Sequence, residues 1–252
     1  MIWIGTSGYN YPEWRGTFYP EKCPAAKMLP YYAERFPTVE INYTFYRAPN
    51  ERILEGWSSA TPERFKLTLK APKRITPDAR LRDCADRVSQ FLETAAVLGP
   101  KLGALLFQLP PNLKKDLPLL DAFLDAFPPR VCAAFEFRHP SWLDDEVYGR
   151  LRERNLALCV ADSEKLATPV EITADYAYFR LRDEGYTPDD IARWADVIRE
   201  KYRGDWDFTP ADDGFGHTDE GGDSHIAHVF RVPPVKVLAF AKSPHGQTAF
   251  RF

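Results

Sequence analysis

The chain has 252 residues, 44% of them hydrophobic and 27% charged, with a net charge of -3. That length allows a large core and fits one α/β barrel or two smaller domains, in a composition ordinary for a globular protein. The charge excludes a global basic field that would draw in nucleic acid or an anionic membrane, and leaves a local basic patch open.

In chain order, short apolar runs alternate with amphipathic stretches. Strands are predicted at residues 2–6, 38–42, 65–70, 104–108, 131–137, 156–161 and 176–181. These runs are nearly all apolar and rich in β-branched or aromatic residues, as in parallel strands covered on both faces. Helical patterns fall between most of them, at 25–36, 50–60, 82–98, 117–127, 144–154 and 187–202. Asn50 before Glu51 suits a helix start, and Thr187-Pro188-Asp189-Asp190 reads as an N-cap with proline at the first helical position. Seven βα units with short loops predict a doubly wound sheet or a barrel, and a length of about 250 residues favours the barrel.

The eighth unit is the irregular one. Residues 203–222 are too polar for a central strand, and Pro210 argues against one. A short helix is expected at 223–231 and a strand at 235–241, which either closes the barrel or belongs to an appended tail. The expected fold is a single (β/α)8 TIM-barrel-like domain over 1–252 with parallel strands and a diverged segment or tail at 203–252.

Cys23, Cys84, Cys132 and Cys159 contain no C-x-x-C pair. Cys132 and Cys159 lie in apolar runs and are read as buried small hydrophobes, which suits a reducing compartment rather than a zinc-thiolate site. The opening residues enter a strand at once, with no basic or long apolar leader, and no segment is long and apolar enough to span a bilayer. A cytoplasmic location is therefore expected.

A barrel keeps its chemistry at the carboxyl ends of its strands, and polar residues gather there. The runs end in Ser7 and Tyr9, in Glu40, Asn42 and Tyr46, in Lys70, in Gln108, in Glu136 and Arg138, in Asp162, and in Arg180 and Arg182. The richest is Val131 to Trp142, a buried run that ends abruptly in Glu136, Arg138, His139 and Trp142. Glu136 and Arg138 are two apart, so they can share a face, and a buried carboxylate beside a guanidinium is costly unless paired or used.

Several of these motifs resemble one family. Gly5-Thr6-Ser7-Gly8-Tyr9 with Trp14-Arg15-Gly16 and Phe18-Tyr19-Pro20 looks like the opening of the YecE-like family, a TIM-barrel group known as a domain of unknown function. Glu40-x-Asn42-x-Thr44-Phe45-Tyr46, Phe65 with Lys70, and Leu106-Phe107-Gln108-Leu109-Pro110-Pro111 follow in order. Glu136-Phe137-Arg138-His139-x-Ser141-Trp142 and Tyr178-x-Arg180-Leu181-Arg182 complete the series, which runs to about residue 202. The resemblance implies the barrel fold but no established reaction. Two departures stand out: Thr76 is followed by Pro77 where the family has a threonine-histidine pair, and Gly216 and Thr218 replace a lysine and a glutamate beside Phe215, His217 and Asp219.

The residues support three readings. The first is an enzyme acting on a small anionic substrate, such as a phosphorylated or acidic sugar or a nucleotide-like molecule. Glu136, Glu40 and Lys70 are its catalytic candidates. Ser7, Tyr9, Trp14, Asn42, Tyr46, Gln108, Arg138, His139, Trp142, Asp162, Arg180 and His217 are its binding candidates. Glu136 would move protons, Lys70, Arg138 and Arg180 would hold the anion, and Glu40 and Asn42 would orient it. The competing structural account is a buried ion network of Glu40, Lys70, Glu136, Arg138 and Arg180 filling the upper layer of the barrel. Tyr9, Trp14, Tyr46 and Trp142 are either a stacking rim or the packing of the long first loop. The second reading is a nucleic-acid binder or metal-dependent nuclease, and the third a non-catalytic ligand-binding protein. No cofactor is predicted. A divalent metal on Glu40, Glu136, Asp162, His139 and His217 stays possible, although no H-E-x-x-H or H-x-H spacing exists and the neighbouring cations would compete with it.

Overall fold

The computed structural model describes residues 2–162, 166–182 and 186–201, and beyond them only short backbone pieces between 210 and 250. Six parallel strands form one sheet in sequential order: β1 (Thr38–Ile41), β2 (Lys66–Lys70), β3 (Leu102–Gln108), β4 (Ala133–Glu136), β5 (Ala157–Asp162) and β6 (Tyr178–Leu181). The helices are α1 (Ala25–Ala33), α2 (Tyr43–Tyr46), α3 (Glu51–Ser59), α4 (Ala85–Ala96), α5 (Leu117–Leu124), α6 (Asp145–Glu153) and α7 (Pro188–Lys201). Each predicted helix forms, shorter than its pattern by a few residues.

The helix starts follow from local chemistry. The Asn50 carboxamide oxygen accepts from the Ile53 amide at 3.0 Å, and Asp116 and Asp144 accept at 3.1 Å from Leu119 and Val147. Thr187 and Asp190 form a reciprocal box, each accepting from the other's backbone amide, with Pro188 at the first helical position. Helix α6 also carries Asp145 and Glu146 in its first turn and Arg150 and Arg152 in its last, the order its macrodipole favours.

Alternation along the strands sorts the core into two parts. Val39, Ile41, Leu67, Leu69, Leu105, Phe107, Phe135, Phe137 and Leu158 point outward to the helices. Phe107 and Phe135 stack at 5.5 Å between ring centroids, with Phe123 and Phe127 edge-on to both. The opposite face carries small residues and tyrosines: Ala104, Leu106, Ala134, Ala157, Cys159, Ala161, Tyr176 and Tyr178. All four cysteines are free, and Cys132 is only partly buried, a correction to its reading as a core residue.

The sheet is strongly curled. Strands β1 and β6 are its two ends, which a flat sheet would hold about 24 Å apart at the usual spacing of neighbouring strands. Instead the Arg180 guanidinium on β6 bonds Glu40 on β1 at 2.9 Å. The six strands thus form a curled half-barrel whose concave face is the small-residue side.

The expected first strand at 2–6 forms no ladder. The opening segment lies parallel to β1 through a single Ser7–Glu40 bridge, with the Glu40 amide donating to the Thr6 carbonyl and the Gly8 amide to the Glu40 carbonyl. Two glycines permit this. A Cβ on Gly5 would stand 2.1 Å from the Thr38 carbonyl oxygen, and Gly8 has φ +95. The eighth unit differs too. Pro210–Ala211 pairs antiparallel with Gly214–Phe215, His217–Thr218 with Ser224–His225, and Val237–Phe240 with Gln247–Phe250, and none of these pieces joins the six-stranded sheet. Apart from Ser224–His225, the helix expected at 223–231 lies outside the described residues.

Candidate functional site

Strands β1, β2, β3, β4 and β6 each carry one inward polar residue in the last or next-to-last position, and the curl brings the five together: Glu40, Lys70, Gln108, Glu136 and Arg180. Their relative exposures are 8%, 9%, 9%, 3% and 6%, so all five are taken almost wholly out of water. Strand register sets their height. Gln108 lies directly beside Glu136, and Ala161 beside Arg180.

Arg180 is the centre of the layer. Its Nε and Nη2 grip the Glu40 carboxylate in a bidentate pair, both at 2.9 Å, and Nη1 donates to Glu136 Oε2. Tyr178, two residues earlier on the same face, donates its hydroxyl to Glu40 Oε2 at 2.7 Å. Ser7 donates to Glu40 Oε1 at 2.5 Å and accepts from Asn42 Nδ2 at 2.8 Å. Asn42 lies past the end of β1, and this contact returns it to the cluster. Burial alone would push the Glu40 carboxyl up, but Arg180, Ser7 and Tyr178 together outweigh it and hold the group below its ordinary value. Burial also opposes the Arg180 charge, and Glu40 with Glu136 keeps it protonated.

Lys70 stands differently. Its Nζ donates to Gln108 Oε1 at 2.9 Å and lies 4.3 Å from the Phe45 ring centroid, and among the described residues it has no ion pair with a carboxylate. Gln108 in turn donates through Nε2 to Glu136 Oε2 at 2.8 Å. Burial and the nearby Arg180 lower the Lys70 pKa to about 8, against a smaller upward pull from Glu40 and Glu136. Helix α2 is fastened above it, because the Lys70 and Ile41 carbonyls share the single Thr44 hydroxyl proton at 2.6 and 2.9 Å.

The remaining binding candidates divide. Arg138 is at the rim, its side chain 41% exposed and its Nε 3.8 Å from Glu136 Oε1. Asp162 stays apart from the layer and receives the Tyr186 hydroxyl at 2.6 Å and the Trp194 indole at 3.2 Å, which ties α7 to the end of β5. The His139 Nδ1 faces the Ser141 hydroxyl and amide and caps the turn Pro140–Trp142. Trp142 is wholly buried, stacked on Phe137, and donates to the Leu113 carbonyl at 2.7 Å. Trp14 packs against Tyr11, Phe18 and Tyr19 under the first loop. A four-ring rim therefore does not form: Tyr9 is half-buried and Tyr46, 75% exposed, is the ring that faces water. The His217 side chain lies outside the described residues.

Three participants were not among the site candidates drawn from the sequence: Tyr178, Arg182 and Tyr11. Tyr178 was legible as the same-face neighbour of Arg180. Arg182, exposed at the end of β6, acts electrostatically on Lys70, Cys159 and Tyr11. Tyr11, whose hydroxyl donates to the Ser7 carbonyl, carries no sequence signal because a loop delivers it. For a metal the donor set fits poorly. Arg180 already holds both buried carboxylates, and among the described residues no three His, Cys, Asp or Glu side chains converge on a cation position. Nor is any described helix long and apolar enough to cross a membrane.

A parallel α/β half-barrel with a charged layer at its carboxyl ends defines the class of protein. Residues 3–209 match the family model described as protein of unknown function DUF72, and the chain belongs to that family. It is 31% identical over 169 residues to the UPF0759 protein YecE of Escherichia coli (strain K12), a match covering 65% of this chain and 60% of that protein. It is 31% identical over 156 residues to the UPF0759 protein YunF of Bacillus subtilis (strain 168), covering 59% of this chain and 54% of YunF. The match thus spans less than two thirds of either relative. A DUF72 family protein from Thermotoga maritima superposes with a TM-score of 0.70 at 28% identity, over 81% of this chain and 88% of that one. One from Enterococcus faecalis V583 gives 0.62 at 20% identity, over 79% and 85%.

Proposed function

We propose that the protein is an enzyme acting on a small anionic substrate, phosphorylated, acidic-sugar or nucleotide-like, by acid/base chemistry at the carboxyl-terminal face of the half-barrel. One observation carries this reading: four cationic side chains, Lys70, Arg138, Arg180 and Arg182, gather at the layer around two carboxylates, Glu40 and Glu136. Asp162 is the next carboxylate, and counting it still leaves positive charge in excess. Arg180 is spent on Glu40 and Glu136, so its part is to position them. Arg138 and Arg182 are left to hold an anion. Glu136 Oε1 accepts no hydrogen bond among the described residues, and Lys70 is linked to the same carboxylate through Gln108. Those two groups are the ones able to take up and return a proton.

Thermal unfolding in inorganic phosphate, against sodium chloride of equal ionic strength, tests the anion site. Phosphate at about 100 times its Kd should add roughly 2.7 kcal/mol, seen as a rise in Tm that chloride does not give. Arg138→Ala with Arg182→Ala should remove the rise. Equal responses to the two salts would overturn the reading.

A further inference from the structure

The most unusual group in the layer is Lys70. A lysine taken this far out of water normally meets a carboxylate. Both carboxylates here are held by Arg180, and Lys70 meets the neutral carbonyl of Gln108 instead, beside the face of Phe45. The arrangement leaves the amine short of the charge that would keep it protonated, yet joined to the Glu136 carboxylate through Gln108 Nε2 and Glu136 Oε2. It also sets the amine within the field of the Arg180 and Arg182 guanidinium groups. Desolvation and a neighbouring cation are what activate a nucleophilic lysine, and Lys70 has both.

We infer that Lys70 Nζ is a nucleophile that forms an imine with a small carbonyl compound bearing a carboxylate or phosphate, the anionic group lying against Arg138 and Arg182. This deepens the anionic-substrate reading and takes its substrate-holding half from it. The nitrogen lone pair adds to the carbonyl carbon, both amine protons pass to the carbonyl oxygen, and that oxygen leaves as water while the C=N bond forms. No oxidant or reductant is consumed. Glu136, whose Oε1 accepts no hydrogen bond among the described residues, is the group assigned to carry the proton between nitrogen and oxygen. The low Lys70 pKa supports the same conclusion. It makes the share of neutral amine near pH 7 roughly two orders of magnitude larger than in an exposed lysine.

The full chain is treated with pyridoxal 5′-phosphate, an aldehyde that carries a phosphate, then reduced with sodium borohydride, and the labelled peptides are read by mass spectrometry. Lys70 should carry most of the adduct at pH 7, ahead of the exposed Lys22, Lys27 and Lys114. Its labelling should rise with pH about a midpoint near 8. Burial sets most of this midpoint, and the charged groups facing Lys70 that adjust it are Arg180, Glu40, Glu136 and Arg182. Added phosphate should protect Lys70 and not the surface lysines. Label confined to the surface lysines overturns the inference. If phosphate raises Tm but Lys70 stays unlabelled, the anion reading stands and the imine falls. If Lys70 is labelled by the uncharged propionaldehyde while phosphate gives no rise, the imine stands and the anion reading falls. Because the readout is on the natural chain, no variant needs to fold.

Discussion

Glu40 and Glu136 carry the same charge and meet the same arginine, yet their substitutions should differ. Glu40 is held by the bidentate pair, by Tyr178 and by Ser7, so Glu40→Gln leaves Arg180 half-paired and turns an amide NH2 toward two donors. Removing one partner of a buried pair costs about 3–5 kcal/mol, and urea unfolding should show a loss of that size. From sequence, Glu136→Gln is expected to abolish activity with little cost in stability. The Arg180 contact changes that expectation to a measurable but smaller loss, since a Gln108 donor and one carbonyl-type oxygen survive. Lys70→Met should act the other way. With its pKa lowered to about 8, the folded protein gives up the Lys70 proton more readily than the unfolded chain does, whose lysine is near the ordinary 10.5. Between those values the unfolded state binds more protons, so stability rises with pH. Lys70→Met should therefore raise the Tm at pH 7, by an amount that shrinks toward pH 10. A variant less stable than the natural protein at pH 7 would contradict this.

Helices here are attached as much by single polar anchors as by apolar faces. Asp162 receives Tyr186 and Trp194, one before α7 and one within it, and Phe179 on β6 packs edge-on to Trp194. Asp162→Ala should cost about 1–3 kcal/mol for the orphaned partners and speed amide exchange across Pro188–Lys201, leaving α4 and α5 unchanged. Exchange rates in α7 that do not move would show that its apolar contacts alone hold it. Asp162 illustrates a limit of residue-by-residue reading. Its position at a strand end was visible in the sequence, but its partners come from a segment some thirty residues later. The helix caps, by contrast, were open to sequence reading because donor and acceptor lie within three residues of each other, as at Asn50 and Thr187.

Over the whole molecule, the curl of the sheet and the charged layer depend on each other. The contact from Arg180 to Glu40 spans the two ends of the sheet, and Ser7 adds the opening segment to the same joint. Because Glu40 ionises below its ordinary value in the folded state, its contribution is fully present above the ordinary carboxylate range and is lost as pH falls through the depressed value. Acid should thus part the ends of the sheet late and cooperatively. Near-ultraviolet circular dichroism, sensitive to the packed Trp14, Tyr19 and Tyr32 between the first loop and α1, should fall only below the ordinary carboxylate range. In Glu40→Gln the same curve should start from a weaker fold and lose its dependence on that carboxyl. Salt should change either curve little, since buried pairs are poorly screened.

What the sequence determined by itself was whatever depends on near neighbours. Alternating apolar runs placed β1 to β6, three-residue spacings placed the caps of α3 and α7, and strand ends marked Glu40, Lys70, Gln108, Glu136 and Arg180 as one level of a parallel sheet. Only the tertiary structure decided which of these charges are free. Arg180 takes both carboxylates and so leaves Lys70 without one among the described residues, a division of partners between residues up to 140 positions apart. It also sent Trp14 and Trp142 into the core and Asp162 to α7. No spacing rule carries such information, because a parallel sheet brings together side chains whose separation along the chain is set by the intervening helices, and the hand-to-hand geometry of the curl selects which of them touch.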